Sequence, residues 1–327
     1  MPKFSPLLAT AIHTVARGQH GARDLSRAEA AAAFAELLRD DADPMQVGAL
    51  LIGLRMKGEA SEELAGFVEG ARSGIAGYGG IAMAQAVDLP CYAGKRRATA
   101  LHLLAAIRAA RSGVPVLIHG LRRIEGRLAA GDLLAAAGIA PAASLSEAKA
   151  QLEAAGIAWL PLDGFAPQLA ELFALRARLG VRTCVHTVAR LLNPLQAGGQ
   201  LNGFFHTPYG ALMGECNALL GQRQSLLFMG AEGEPELYAD RQKLLLWQQG
   251  EQLQPLAYPE AGGAHYPKEE AEPAALLARF AALLAGAEPD AREAATLMRM
   301  QQALVAVQSG LLPGDWQLKI APAADPI

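Results

Sequence analysis

The sequence predicts an α/β protein with a small all-helical domain and a larger α/β domain built on a mostly parallel central sheet. Three observations predict it. Residues up to Ser73 carry consecutive capped runs of apolar residues at helical spacing. Beyond the glycines of 74–80, short apolar runs alternate with helical segments, the arrangement of a parallel sheet covered on both faces. Aromatic residues make up only 6% of the 327 residues, which argues against a large all-β architecture.

The elements follow in chain order. Ser26 and Glu29 form a capping box, the hydroxyl taking an orphan amide and the carboxylate reaching back to the cap. The helix behind it, 27–39, places Ala31, Phe34, Leu37 and Leu38 at helical spacing. Asp43-Pro44 opens a second helix, since proline is tolerated at the first helical position. It presents Val47, Leu50, Leu51 and Leu54 and ends near Lys57-Gly58. A third starts at Ser61, with Glu62 and Glu63 in the first turn where they suit the helix dipole. Strands are expected at 86–89, 114–118, 157–160, 225–229 and 253–257, with helices at 99–111 and 146–155. Ser144 and Glu147 read as a second capping box. The domains expected are a helical unit at 1–75, completed by about 165–195, and an α/β unit at 80–162 and 200–327, ending in a Pro/Ala tail after Lys319.

Composition narrows the function classes. The chain is 52% hydrophobic and 19% charged with a formal net charge of −3, so the total announces no polyanion partner. Cys91, Cys184 and Cys216 are far apart and form neither a CxxC pair nor a disulfide framework. They fit reduced thiols in a cytoplasmic protein. No signal peptide or transmembrane run is expected. A P-loop, a GxGxxG fingerprint, a nucleophile elbow and paired histidine ligands are all missing.

In parallel α/β sheets, ligands bind beyond the carboxyl ends of the strands. The loop 88–97 there ends in Lys95, Arg96 and Arg97, just before a helix start. Cations are unfavourable against the dipole at that place unless an anion arrives. The loop after the second strand carries His119-Gly120, Arg122, Arg123 and Arg127. Arginine suits phosphate because its planar fork binds bidentately, whereas His119 alone reads as a structural side chain. A third cluster, Arg176, Arg178 and Arg182, lies in a stretch to Arg190 without any acidic residue. A net-acidic chain can therefore still carry a basic cleft. The segment 201–210, with Phe204, Phe205, His206 and Tyr209, offers either stacking surfaces for bases or core and turn residues.

Several segments resemble the anthranilate phosphoribosyltransferases. The runs 25–30, 46–59 and 62–67 are similar to that family's helical domain, and His119-Gly120 followed by Arg122 is similar to its His-Gly-Asn-Arg loop. Residues 175–183, ending in Leu192-Asn193-Pro194, resemble its Leu-Gly-Ile-Arg-Thr…Asn-Pro segment, in which the arginine matching Arg176 contacts anthranilate. The resemblance implies phosphoribosyl pyrophosphate and Mg²⁺ as ligands. Two departures oppose that. The family's Gly-Thr-Gly-Gly-Asp phosphate loop is replaced here by Asp88-Leu89-Pro90-Cys91-Tyr92-Ala93-Gly94, and its magnesium-holding Asp-Glu pair by Pro235-Glu236. Backbone cradling of phosphate needs glycines, and proline removes a donor.

The pattern resembles a separate branch, the YbiB-type proteins, which implies a homodimer that binds DNA or RNA with little sequence preference. The expectation is sequence-tolerant binding of single- or double-stranded nucleic acid by Lys95, Arg96, Arg97, His119, Arg122, Arg123, Arg127, Arg176, Arg178 and Arg182. It includes dimerisation through the helical domain, no membrane partner, no catalytic residue, no metal and no cofactor. The alternative is an active phosphoribosyltransferase using phosphoribosyl pyrophosphate and Mg²⁺. A third reading is an interaction protein with an incidental basic cleft.

Overall fold

The computed structural model describes residues 2–18, 20–260 and 265–319; the tail after Lys319 lies outside them. Four helices open the chain: α1 (Pro6–Val15), α2 (Arg27–Leu37), α3 (Pro44–Lys57) and α4 (Ser61–Ser73). The caps read from the sequence form. Ser26 and Glu29 exchange both arms of the box, and the Asp43 side chain accepts from the Met45 amide. Glu63 does more than complement a dipole. It is fully buried, accepts from the Leu25 amide at 2.7 Å and pairs with Lys57 at 2.6 Å.

The α/β part follows: β1 (Val87–Cys91), α5 (Leu101–Arg111), β2 (Val116–Gly120), α6 (Ala130–Ala136), α7 (Leu145–Ala155) and β3 (Ile157–Pro161). Ser144 caps α7 as expected, but the Glu147 carboxylate reaches the Ala143 amide at 2.8 Å, so the reciprocal box does not close. Short helices α8 (Leu162–Phe165), α9 (Pro167–Ala174), α10 (Arg176–Leu179) and α11 (Val185–Arg190) lead to β4 (Gly199–Phe204) and α12 (Pro208–Leu219). After β5 (Gln224–Met229) come a 3-10 turn (Ala231–Gly233), β6 (Leu245–Gln249), β7 (Gln252–Ala257), α13 (Pro273–Leu284), α14 (Ala291–Ser309) and β8 (Gln317–Leu318).

The sheet runs β3-β2-β1-β4-β5-β6-β7-β8. Its first five strands are parallel and the last three join antiparallel, so the sheet is mostly parallel with an antiparallel edge. Alternation along the strands builds two cores. Leu117, Leu160 and Leu227 face a layer that joins α1–α4, the helices between Leu162 and Leu195, and Met213 and Cys216 of α12. Val116, Ile118, Leu226 and Phe228 face the opposite layer of α5, α13 and α14.

Three strands escaped the sequence pattern: β4, β6 and the two-residue β8. Strand β4 reads Gly-Gln-Leu-Asn-Gly-Phe, with no apolar run. Its fully buried Gln200 and Asn202 donate to the Arg190 carbonyl at 3.2 and 3.1 Å, and Gln200 also donates to Asp88. Hydrogen bonds substitute for apolar contact there. Strand β6 became visible only through its pairing with β5.

Candidate anion-binding cleft

Because β1, β2, β4 and β5 are parallel, their carboxyl ends share one edge of the sheet, and the helical layer closes over it. The result is a cleft of 510 Å³. Arg96, Arg97 and Arg127 reach it from the loops after β1 and β2, and Phe204, Phe205 and His206 from the end of β4. Arg176, Arg182, His186 and Arg190 line it from α10, α11 and the turn between them, Tyr209 and Met213 from α12, and Arg55 from α3. Phe205 is 55% exposed and packs edge-on against His206.

The arginines load this cleft with more positive charge than its lining offsets, Glu232 being the one carboxylate among the described lining residues. Arg97, Arg176 and Arg182 have no carboxylate partner within ion-pair distance among the described residues, although Arg96 meets Glu270 at 2.8 Å. Arg127 donates to the Ala93 and Gly94 carbonyls at 3.1 Å, and Arg190 to the His186 carbonyl at 2.6 Å. Burial, followed by repulsion from Arg176, Arg190 and Arg127, lowers Arg182 to about 10. Burial and then Arg96 push Arg127 down in the same way. Burial, Arg190 and Arg182 lower His186 to about 3, so its ring is neutral at physiological pH. Its Nδ1 faces the Thr183 carbonyl at 3.3 Å, and Nε2 has no partner among the described residues. Cations that destabilise one another, with Glu232 the one carboxylate among the described lining residues and its oxygens already taken by the Arg96 and Arg97 amides and the Tyr266 hydroxyl, form an anion site.

Five of the ten residues expected from sequence come together here: Arg96, Arg97, Arg127, Arg176 and Arg182. Arg122 and Arg123 are exposed outside the cleft, with Arg122 paired to Asp163 at 2.9 Å. Arg178 lines a separate groove beside α3 and α9. Lys95 and His119 are not surface cations at all. Lys95 is 1% exposed, meets Glu236 at 2.7 Å and donates to Tyr266 at 2.8 Å. His119 is fully buried between Asp88 at 3.2 Å and the Tyr92 hydroxyl at 2.7 Å. Burial pushes the Tyr92 hydroxyl well up, so it keeps its proton. It can therefore donate to His119 while the other ring nitrogen donates to Asp88.

The loop between β1 and α5 would be the phosphate cradle, and the chain fills it with its own carboxylates. Glu234 Oε1 accepts from the Ala93 amide at 2.8 Å and also from the Gly94 amide. Glu232 accepts from the Arg96 and Arg97 amides at 2.8 and 3.2 Å, and Glu236 from those of Leu101 and His102 at 2.7 and 3.2 Å. Burial alone would raise the Glu236 carboxyl, but Lys95 and His102 outweigh it and hold it down to about 2. Gly203 admits this segment, since a Cβ there would lie 2.7 Å from Glu234 backbone atoms. In the sequence Glu236 reads as the remaining carboxylate of the family's metal pair, and nothing assigns Glu232 or Glu234 a role. Their spacing at every second residue was the one available signal.

The fit to magnesium and phosphoribosyl pyrophosphate is poor. The amides that would hold the phosphates are taken, and Glu236, the remaining carboxylate of the expected metal pair, is bound to Lys95 and His102. Cys91, His102 and Glu234 do bring possible ligand atoms within 4.8 Å of one another. However, burial holds the Cys91 thiol well above its ordinary value, which disfavours the thiolate a metal requires. All three cysteines are free and buried. Among the described residues, no helix is long and apolar enough to cross a membrane.

Comparison with known proteins matches residues 9–73 to the glycosyl transferase family helical bundle domain and residues 84–309 to the glycosyl transferase family a/b domain. The uncharacterized protein YbiB of Escherichia coli (strain K12) is 32% identical over 237 residues, covering 71% of this chain and 72% of its own. The anthranilate phosphoribosyltransferase of Methylobacterium radiotolerans is 34% identical, covering 66% of this chain but only 63% of its own length, less than two thirds. Among solved structures, the anthranilate phosphoribosyltransferase from Thermus thermophilus superposes with a TM-score of 0.72 at 24% identity, over 94% of this chain and 90% of that one. The Saccharomyces cerevisiae enzyme in complex with PRPP and Mg gives 0.71 at 14%, over the same shares. Both are likenesses of fold alone.

Proposed function

We propose that this chain, which belongs to the glycosyl transferase family built from a helical bundle domain and an a/b domain, binds the phosphate backbone of nucleic acid in its arginine-lined cleft. One observation carries the reading. The cleft holds Arg97, Arg176 and Arg182 without carboxylate partners among the described residues, while the compact cradle beside it is filled by Glu232, Glu234 and Glu236. A row of side-chain cations suits a line of phosphates, binds with little regard to sequence and is weakened by salt. Phe205, exposed at the cleft, adds a ring on which a base can stack.

The second reading is phosphoribosyl transfer to anthranilate or another acceptor. Likeness favours it, because most of the relatives named are anthranilate phosphoribosyltransferases. The filled cradle opposes it.

Anisotropy of a labelled random-sequence single-stranded oligonucleotide at two salt concentrations separates the two, with pyrophosphate and phosphoribosyl pyrophosphate plus Mg²⁺ as competitors. Salt-sensitive binding that resists both competitors is expected. An absence of oligonucleotide binding, with saturable binding of phosphoribosyl pyrophosphate, would overturn the proposal in favour of the enzyme.

A further inference from the structure

We propose that Glu234 is a built-in anion that determines the specificity of the cleft, keeping pyrophosphate-sized ligands out of the β1–α5 cradle while leaving the arginine wall open to an extended polyanion. The inference deepens the nucleic-acid reading and rests on it for the second half of the claim. Its first half stands on the cradle's own geometry. One carboxylate oxygen of Glu234 takes the two amides, Ala93 and Gly94, that a phosphate oxygen would take at this turn. Its other oxygen is buried without a partner among the described residues, and the residue as a whole is only 2% exposed. A phosphate has further oxygens to aim at the same place.

The neighbours make the exclusion electrostatic as well as steric. Glu232, Glu234 and Glu236 bring three carboxylates to a site whose buried ammonium, Lys95, lies 2.7 Å from Glu236 and 3.8 Å from Glu232. A phosphate arriving there would meet carboxylates where it needs open amides, while Arg127, the nearest guanidinium, is already engaged by the Ala93 and Gly94 carbonyls. Glu232 holds its place with φ of +61°, a left-handed conformation that a non-glycine residue adopts only when its surroundings impose it. Its carboxylate caps the Arg96 and Arg97 amides and also accepts from the Tyr266 hydroxyl at 2.7 Å. Arg96 and Arg97 are thereby held at the wall of the cleft.

Glu234 is the member to test, because it takes no part in the Lys95 pairing. Inorganic pyrophosphate, without metal, is titrated by calorimetry into the full-length protein and its Glu234→Ala and Glu234→Gln variants, with thermal melts alongside. The wild-type chain is expected to show no response. Glu234→Ala should bind pyrophosphate at least tenfold more tightly than wild type, with its melting temperature rising by roughly 5 °C at saturation. Glu234→Gln, which keeps the shape without the charge, should fall between. The gain should survive Arg176→Ala, which places it in the cradle and not on the arginine wall. A folded Glu234→Ala protein that ignores pyrophosphate overturns the proposal. If that variant unfolds, pyrophosphate should restore its folding; no rescue means the carboxylate is a structural cap only, and the proposal falls. Loss of oligonucleotide binding by the wild-type protein would remove the nucleic-acid reading and leave the cradle result standing.

Discussion

Arg176 and Arg182 sit where mutual repulsion works against them, and burial with that repulsion lowers Arg182 to about 10. A bound phosphate would relieve the repulsion, so each should contribute strongly to binding. Replacing either with alanine is expected to weaken oligonucleotide binding roughly tenfold. It should also flatten the salt dependence by about 0.7 log units per decade for a single strand. Arg122→Ala/Arg123→Ala, outside the cleft, should change both far less. Equal losses from the two pairs would move the binding surface away from the cavity. Lys95 belongs to stability. Lys95→Met leaves Glu236 buried without its ammonium and should cost about 3–5 kcal/mol, read from denaturant unfolding. The pH sign follows from Glu236, held down to about 2 from 4.5. Its contribution is fully present above pH 4.5 and is lost as the pH falls toward 2. The wild-type melting temperature should therefore drop across that window, and the drop should be smaller in Lys95→Met.

At the scale of elements, the helical domain depends on how closely α2 and α4 approach. A Cβ on Gly70 would lie 2.4 Å from the Ala31 carbonyl oxygen, whereas on Gly74 its nearest neighbour would be 3.7 Å away. Gly70→Ala should force the helices apart at about 1–3 kcal/mol, and Gly74→Ala should melt close to wild type. Matching melting curves for the two variants would show that the helices can separate freely. The helices themselves were legible, because their caps are local. Ser26 and Glu29 are three residues apart and their box closes within a single turn. Strand β4 was not legible, because Gln200 and Asn202 are buried only by virtue of the Arg190 carbonyl, Asp88 and Asn217, which the fold brings against them.

At the scale of the molecule, a net charge of −3 conceals a separation of sign. The helical domain also exposes Phe4, Met45 and Met56, at 63, 83 and 81%. Packing against a second copy of the chain would take these side chains out of water. A homodimer through this domain is accordingly expected, with light scattering giving twice the 34.3 kDa of one chain. A mass of one chain, unchanged at high protein concentration, would remove the expectation.

The α/β class, the helical start, the capped helices and the clustering of arginines were all written in the sequence, since periodicity, caps and loop charge depend on neighbours a few residues apart. Which arginines share a cleft was a matter of the tertiary structure. Arg127 and Arg182 meet because parallel strands end on one edge and the α9–α11 segment folds over it. The fate of Lys95 was decided in the same way. Beside Arg96 and Arg97 it reads as a third mobile cation, yet Glu236, 141 residues away, buries it as an ion pair. Charge in a sequence is local, but its solvation is set by what the fold brings against it, and that separates a binding cation from a structural one.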